Sequence, residues 1–322
     1  MYVSMNEAER IERRINLHDM RVLMSVVEAG SMGKAAKRLA TSQPAISRSI
    51  ANLEAALGVT LLDRSAQGIE PTAYGRALVR RGLAVFDELM QGVKDIEFLA
   101  DPTAGELRVG ASIAVAVGFL SSVIDRLSRR HPRLSFQVLS TDTTTAYRAL
   151  VEREVDLLIA HVIEPIEEEH MNAEVLFHDP HVVVAGAQNP WTRRRRVALS
   201  DLMGELWVLP LPDAPYGRVV FEAFRACGLG VPRTAVASTL PIRSSLLSTG
   251  RFLSMVPGVV LRFQGKHQAL KGVPIELPTT SRPLAIITLK NRTLSPAALL
   301  LIDYAREAAK PVAKERPEPG KT

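Results

Sequence analysis

At 322 residues, the chain is long enough for two or three domains with full hydrophobic cores. No apolar run approaches the roughly 20 residues of a membrane span. The charged N-terminus lacks an apolar signal core, so we expect a cytoplasmic protein without a membrane partner. The single cysteine, Cys227, excludes an internal disulfide and fits a reducing compartment. The net charge of +6 is compatible with a polyanionic partner.

The first predicted helix covers residues 18–29 and follows a charged extension, residues 1–16. Apolar residues recur along it at helical spacing. They are Met20, Leu23, Met24 and Val27. We expect this stripe to pack behind the next two helices as the third member of a small core.

The segment from Gly30 to Arg64 predicts two helices joined by a tight turn. The first covers about residues 32–39. Ser42 is placed as the N-cap of the second helix, with Pro44 in its first turn. Gly58 closes that helix as a left-handed cap. The apolar face of the second helix consists of Ile46, Ile50, Leu53 and Leu57.

The opposite face of the second helix carries Gln43, Ser47, Arg48 and Asn52. Gln and Arg side chains make paired hydrogen bonds to base edges, and Ser or a helix N-terminus suits a phosphate. The spacing is typical of a helix-turn-helix, whose second helix enters the major groove. An ordinary helix pair with a solvated outer face has the same spacing, so the pattern alone leaves both interpretations open.

Charge adds support for a nucleic-acid partner. Between Gly30 and Arg81, eight basic residues oppose three acidic ones, for a local net charge of 8 − 3 = +5. A local basic surface is the footprint expected for phosphate contacts.

Extended segments at residues 59–62 and 68–70 predict a small wing, and Thr72 then caps a long helix that ends near Ala100. A helix of about 29 residues would be about 43 Å long at 1.5 Å per residue. Its apolar stripe exceeds what one small domain covers and requires a partner helix. We therefore expect a helix–helix seam that includes Leu83, Phe86, Leu89, Val93 and Ile96.

Residues 101–105 form a breaker cluster and a domain boundary, beyond which strands and helices alternate. Alternation predicts a mostly parallel sheet with helices on both faces. Strands are expected at 107–111, 135–139, 156–160, 182–185, 207–209, 235–237, 253–256 and 282–289. Helices are expected at 115–130, 144–152, 217–227, 241–248 and 296–309. The tail, residues 310–322, is expected to be disordered.

The stretch AAKRLATSQPAISRSIANLEAALGVTLLDR closely resembles the DNA-binding domain of LysR-type transcriptional regulators. In that family SQPAIS opens the recognition helix, and LE..LG..LL.R continues into the wing. The resemblance extends from Leu17 to roughly Arg306. It implies an α/β multidomain protein: a winged helix-turn-helix (17–71), a linker and dimerisation helix (72–101), and a two-lobed effector domain (106–309) resembling periplasmic binding proteins. Lobe I would cover 106–180 and 282–309, and lobe II 181–281.

The resemblance also implies partners and DNA contacts. We expect a homodimer or homotetramer that binds double-stranded promoter DNA and recruits or obstructs RNA polymerase. Arg64 occupies the position of a phosphate-contacting arginine in the family. The expected DNA-binding residues are Ser42, Gln43, Pro44, Ser47, Arg48 and Arg64.

For the effector, two hydroxyl-rich turns follow predicted strands, where ligands of open α/β sheets bind. Ser112 and Thr143 match family positions that contact small effectors, although helix capping would also explain them. His161, Tyr216 and Thr239 lie on segments expected to face the cleft. We expect no cofactor, only a small polar and anionic effector. The stretches LKNRTLSPAALLLID and WVLPLPDAPYGR resemble regulators of sugar and aromatic-acid catabolism.

The sequence offers little support for an enzyme. GxSxG, HExxH and a glycine-rich phosphate loop are missing. Cys227 is interpreted as a core thiol, and His178 with His181 lack companion ligands for a metal. The basic run Arg193 to Arg196 is interpreted as solvated surface. A solute-binding protein would leave the first hundred residues and the missing signal unexplained.

Overall fold

The computed structural model describes residues 14–65, 68–163, 165, 169–263, 269–277 and 280–314. Contacts divide the chain into two compact units, Met1–Met90 and Gln91–Thr322. Within the described ranges, no helix combines the length and apolar content needed to cross a membrane.

The first unit is a three-helix core with a two-stranded wing. Helices α1 (Leu17–Ala29), α2 (Met32–Arg38) and α3 (Gln43–Leu57) precede the antiparallel strands β1 (Leu62–Ser65) and β2 (Gly68–Pro71). The helix ends follow local chemistry, because side chains of Asn16, Ser31 and Ser42 accept hydrogen bonds from the first turns of the three helices. The buried core is formed mainly by Val22, Leu23, Val26, Ala35, Ile46, Ile50 and Leu53.

Helix α4 (Ala73–Ala100) is the long helix expected from the sequence. The Thr72 hydroxyl accepts a hydrogen bond from the amide of Gly75 at 3.0 Å and caps its first turn, as predicted. An apolar series on this helix faces solvent, including Leu89 at 49 %, Ile96 at 69 % and Leu99 at 81 % exposure. Phe86 is less exposed than these residues. It is half-buried, and the Arg21 guanidinium lies 4.2 Å from the centroid of its ring.

The second unit contains two five-stranded sheets, one in each lobe. The lobe I sheet has the order β4-β3-β5-β12-β6, and the lobe II sheet has the order β11-β7-β10-β8-β9. The lobe I strands are β3 (Ala104–Ser112), β4 (Arg133–Thr141), β5 (Leu157–His161), β6 (Met171–Asp179) and β12 (Arg282–Leu289). The lobe II strands are β7 (His181–Gly186), β8 (Trp207–Leu209), β9 (Thr234–Ala237), β10 (Leu253–Pro257) and β11 (Leu270–Gly272).

Helices cover these sheets. In lobe I, α5 (Ile113–Val115) continues through a π turn (Ala116–Leu120) into α6 (Ser121–Arg130), and α7 (Thr143–Val151) and α11 (Pro296–Lys314) complete the layer. In lobe II the helices are α8 (Pro215–Ala226), α9 (Leu240–Leu247) and α10 (Val259–Arg262), with 3₁₀ turns at Pro190–Arg193 and Leu199–Leu202. The return of the chain to lobe I through β12, expected from the resemblance, is confirmed by the pairing of β12 with β5 and β6.

The structure corrects four expectations. Each sheet is mixed, because β12 and β6 in lobe I and β7 and β11 in lobe II run antiparallel to their neighbours. The sequence did not predict strand β6. Its edge position leaves four consecutive residues exposed, so the strand lacks the alternation of apolar and polar residues by which a strand is predicted. Helix α11 extends through Pro311 to Lys314, and Val312 packs on the lobe I core. Cys227 is exposed, because α8 ends at Ala226 and its buried stripe lies on Val220, Ala223 and Phe224.

Candidate functional site

Helix α3 presents a polar outer face opposite its buried stripe. Ser42, Gln43, Pro44 and Arg48 are exposed and Ser47 is half-buried, whereas Ile46 and Leu53 are fully buried. Ser42 caps the helix by accepting a hydrogen bond from the amide of Ala45 at 3.4 Å. The predicted DNA-contacting residues of this helix therefore share one accessible face and its N-terminal end.

Arg48 is exposed on that face. Among the described residues, no carboxylate lies within salt-bridge distance of it, whereas Arg38 pairs with Glu28 at 2.6 Å. An arginine without an internal partner keeps all five donors for a base edge or a phosphate. The backbone of Arg64 lies in β1 opposite Ile69, and its side chain lies outside the described part of the structure.

The second candidate site lies where the chain crosses between the lobes. Ser112 and His161 end strands β3 and β5 of lobe I, and both are fully buried. Tyr216 projects from the first turn of α8 in lobe II. Its hydroxyl lies 3.0 Å from Ser112 Oγ and 2.8 Å from His161 Nδ1. Three of the predicted effector-site residues therefore meet at one hydroxyl group.

Asp179 holds the other side of the His161 ring. Its Oδ2 lies 2.8 Å from His161 Nε2 and also accepts a hydrogen bond from the amide of Val259 at 3.2 Å. Asp179 ends β6 just before the crossing into lobe II. The result is a hydrogen-bonded series from Ser112 through Tyr216 and His161 to Asp179, which joins both lobes.

His181, on the same crossing, is buried and neutral. Its Nδ1 donates to the Thr280 carbonyl at 3.1 Å, and its ring centroid lies 5.9 Å from that of Tyr216. Burial, together with the nearby charges of His161, Arg282 and Arg243, lowers the pKa of His181 to about 3. In this tautomer Nε2 is an acceptor, and it has no hydrogen-bond partner.

Other buried polar atoms near Tyr216 also form no regular hydrogen bond with any described residue. They are Thr143 Oγ1, Tyr147 Oη, Thr280 Oγ1 and Asp179 Oδ1. Burial raises the pKa of Tyr216, and the charge of Asp179 and the hydroxyl of Tyr147 act in the same direction. Because unpartnered buried polar atoms are rare and costly in native proteins, this concentration indicates a place for a ligand or water.

Thr143 is part of this group, but its local setting differs from the expected one. Asp142, and not Thr143, is the N-cap of α7 and accepts a hydrogen bond from the amide of Thr145 at 3.0 Å. The helix terminus therefore already carries a carboxylate, and Thr143 offers its hydroxyl only. Thr239 is exposed as the N-cap residue of α9, and its side chain makes no capping bond.

The sequence did not point to Arg243, a buried residue close enough to His181 for its charge to lower the pKa of that histidine. Arg243 is 5 % exposed, and its Nη1 donates to Ser254 Oγ at 3.0 Å and to the Met255 carbonyl at 3.1 Å. Its Nε is buried without a partner, and no carboxylate in the described chain lies within salt-bridge distance. Burial lowers the pKa of Arg243 to about 10. A buried guanidinium without a counter-charge is costly and favours an anion.

The crossing residues Asp179, His181 and Thr280 were also missed as effector-site residues. The HDPH run of the sequence was weighed only as a metal site, and the structure argues against that use. His178 is exposed on β6, whereas His181 is buried with its Nδ1 bound to a carbonyl. The described residues contain no cluster of three or more histidine, cysteine or acidic side chains suited to a metal ion.

Comparison with known proteins gives a family match for both parts of the chain. Residues 17–76 match the family described as "Bacterial regulatory helix-turn-helix protein, lysR family", and residues 100–310 match "LysR substrate binding domain". The chain is 26 % identical over 303 residues to the transcriptional regulator GbpR of Azospirillum brasilense, covering 93 % of this chain and 88 % of that protein. It is 24 % identical over 286 residues to TdcA of Escherichia coli K12, covering 89 % and 91 %.

Solved structures show the same fold. A full-length OxyR variant from Pseudomonas aeruginosa matches with a TM-score of 0.64 at 22 % identity, covering 95 % of this chain and 99 % of that one. CbnR in complex with its target DNA matches with a TM-score of 0.62 at 21 % identity, covering 91 % and 100 %. Members of this family regulate transcription and are not enzymes. The chain belongs to the LysR family, as a DNA-binding transcriptional regulator with an effector-binding domain.

Proposed function

We propose that this regulator binds its operator in the cytoplasm through Gln43, Ser47 and Arg48 of α3, with Ser42, Pro44 and Arg64 as further contacts. Its accessible outer face supports the α3 assignment, because a recognition helix needs exposed donors that have no internal partner. Bound in this way, the regulator recruits or obstructs RNA polymerase at the promoter.

A second part of the proposal concerns assembly. The apolar series on α4 comprises Val85, Leu89, Val93, Ile96 and Leu99, and each of these side chains is at least 40 % exposed. Their spacing places them along one side of the helix, where a second copy of α4 would cover them. We propose this surface as the dimer seam, with higher assembly to a tetramer.

A third part concerns the effector, which we propose to be a small carboxylate bound where the lobes cross. Arg243 is the observation that carries this assignment, since it is a buried cation without a counter-charge in the described chain. Ser112, Thr143 and His161 would contribute the polar contacts, and Tyr216 lies at the same site. The carboxylate would meet Arg243 and not the α7 terminus, which Asp142 already occupies.

A binding screen on the full-length protein tests the effector class. We would compare small carboxylic acids with their neutral amides by thermal shift and then by calorimetry. The acids are expected to bind, and Arg243→Gln is expected to weaken binding at least tenfold, because it removes the charge-assisted bonds. Arg195→Gln on the exposed basic run is the control. Equal binding of acids and amides, unchanged by Arg243→Gln, would exclude this effector class.

A further inference from the structure

Tyr216 belongs to lobe II, but its hydroxyl occupies the polar site that Ser112 and His161 form in lobe I. It stands on the first turn of α8, and its hydroxyl bonds to Ser112 and His161 of lobe I. The next residue fixes the position of this turn, because a Cβ at Gly217 would lie 1.9 Å from the carbonyl oxygen of Leu211. The backbone therefore leaves Tyr216 little freedom, while its side chain is only partly buried.

The hydrogen-bond pattern identifies the group that suits this position. Asp179 accepts from His161 Nε2–H, so in the neutral imidazole Nδ1 is an acceptor. The Tyr216 hydroxyl then donates to Nδ1 and accepts from the Ser112 hydroxyl, and a ligand hydroxyl would make both bonds through one oxygen. If the imidazole is protonated, a hydroxyl still fits, since it accepts from Nδ1–H and donates to Ser112.

A carboxylate does not suit the same position. The Asp179 carboxylate, itself fully buried, already lies 2.8 Å from His161 and offsets any charge on the ring. A second carboxylate on Nδ1 would leave an excess negative charge in a buried site, which is strongly unfavourable. The anionic end of an effector therefore belongs at Arg243, and a hydroxyl belongs between Ser112 and His161.

We propose that Tyr216 is a built-in occupant of the effector site, and that the effector is a hydroxylated carboxylic acid whose hydroxyl replaces that of Tyr216 on Ser112 and His161. This inference rests on the proposed effector function. The exchange breaks one link between the lobes and makes another through the ligand. The unpartnered Thr143 and Tyr147 hydroxyls and His181 Nε2 are then available for the rest of the molecule.

Two matched substitutions separate an occupant from an ordinary ligand contact. Tyr216→Phe removes a hydroxyl that is fully bonded in the effector-free protein, whereas Tyr147→Phe removes one that has no partner. If Tyr216 competes with the ligand, its removal strengthens ligand binding, because a competitor lowers apparent affinity by the fraction of sites it blocks. If Tyr147 contacts the ligand, its removal weakens binding.

The first experiment measures hydrogen–deuterium exchange of the full-length, effector-free variants. The reporter is the Val259 amide, which bonds to Asp179 across the lobes. We expect exchange about tenfold faster in Tyr216→Phe, the change that the loss of one or two net hydrogen bonds predicts. Tyr147→Phe should match the wild type. Unchanged exchange in Tyr216→Phe would overturn the proposal, whether or not any ligand is known.

The second experiment uses calorimetry with matched acids that differ by one hydroxyl, such as lactate with propionate and hydroxybenzoates with benzoate. The hydroxylated members should bind wild type more tightly, and Tyr216→Phe should bind them about tenfold more tightly still. Weaker binding by Tyr216→Phe would make Tyr216 a ligand contact and overturn the proposal. If no acid binds any variant, the proposed effector class fails, and the exchange experiment alone decides the role of Tyr216.

Discussion

The Asp156 carboxylate and the Arg292 guanidinium lie 2.7 Å apart, and both side chains are almost fully buried. Arg108 adds two further hydrogen bonds to Asp156, from its amide at 2.8 Å and its Nη2 at 2.9 Å. Lys94, near the end of α4, lies 3.3 Å from the same carboxylate. One buried acid therefore ties strands of lobe I, the segment after β12 and the last turns of α4 together.

Replacing this acid should be costly. Asp156→Asn leaves the buried Arg292 without its counter-charge, and loss of one partner of such a pair typically costs about 3–5 kcal/mol. Urea unfolding of the full chain would measure the loss. Asp125→Asn is the matched control, because Asp125 pairs with Arg129 on an exposed helix surface and should change stability by less than about 1 kcal/mol. Equal effects of the two variants would contradict the expectation.

Asp156 should also make the free energy of unfolding depend on pH in the acid range. Burial by itself raises the pKa of Asp156, but the hydrogen bonds from Arg108 and the charges of Lys94 and Arg108 outweigh it and lower the pKa. A depressed folded-state pKa contributes stability above the unfolded value of about 3.9, and this contribution disappears as the pH falls below it. Below about pH 5, the stability of Asp156→Asn should therefore fall less steeply with decreasing pH than that of wild type.

Arg48→Ala should weaken specific DNA binding and leave the fold intact. An arginine contact to a base edge is worth about 1–3 kcal/mol at one base position. Within the described part of the chain, Arg48 makes no ion pair that its removal would disturb. Gel-shift titrations at fixed salt, on fragments recovered from genome-wide binding, would measure it. Arg195→Ala, on the second lobe, is the control. The assignment fails if the two variants bind the operator with the same affinity as wild type.

Leu89→Glu should dissociate the dimer. It places a charge in the exposed apolar series of α4, and an unpaired charge in a closed seam costs several kcal/mol. Sedimentation would report the mass, and Leu299→Glu offers a matched leucine, also half exposed, on α11. A dimer that persists in Leu89→Glu would place the seam elsewhere.

Phe86→Ala should instead lower the stability of the first unit, because Phe86 packs under Arg21.

Thr143→Val should weaken the effector response without lowering stability. The substitution keeps the shape and removes a buried hydroxyl that forms no regular hydrogen bond with a described residue, so folding loses little stability while a bound ligand would lose a hydrogen bond. Calorimetry with an identified effector would show the loss. Thr144→Val, at the exposed neighbouring position, is the control and should retain wild-type affinity. Wild-type affinity in Thr143→Val and in Ser112→Ala would place the ligand in another pocket.

The sequence by itself determined the helices of the first unit and their ends. Ser42 caps α3 through a residue three positions away, and Gly58 ends it in the left-handed conformation at φ 68°. These interactions span a single helical turn, so residue order alone specifies them. The apolar spacing of α3 likewise predicted which face is buried and which face is exposed.

Only the tertiary structure decided the effector site. Tyr216 and Ser112 are 104 positions apart, and Asp156 and Arg292 are 136 apart. Whether such side chains meet depends on strand order and on where the chain crosses between the lobes, and no local pattern records either. Arg243 shows the same limit. An arginine in a predicted helix is expected to be a solvated cation, and only the packing of α9 on β10 buries Arg243 with no carboxylate of the described residues within salt-bridge distance.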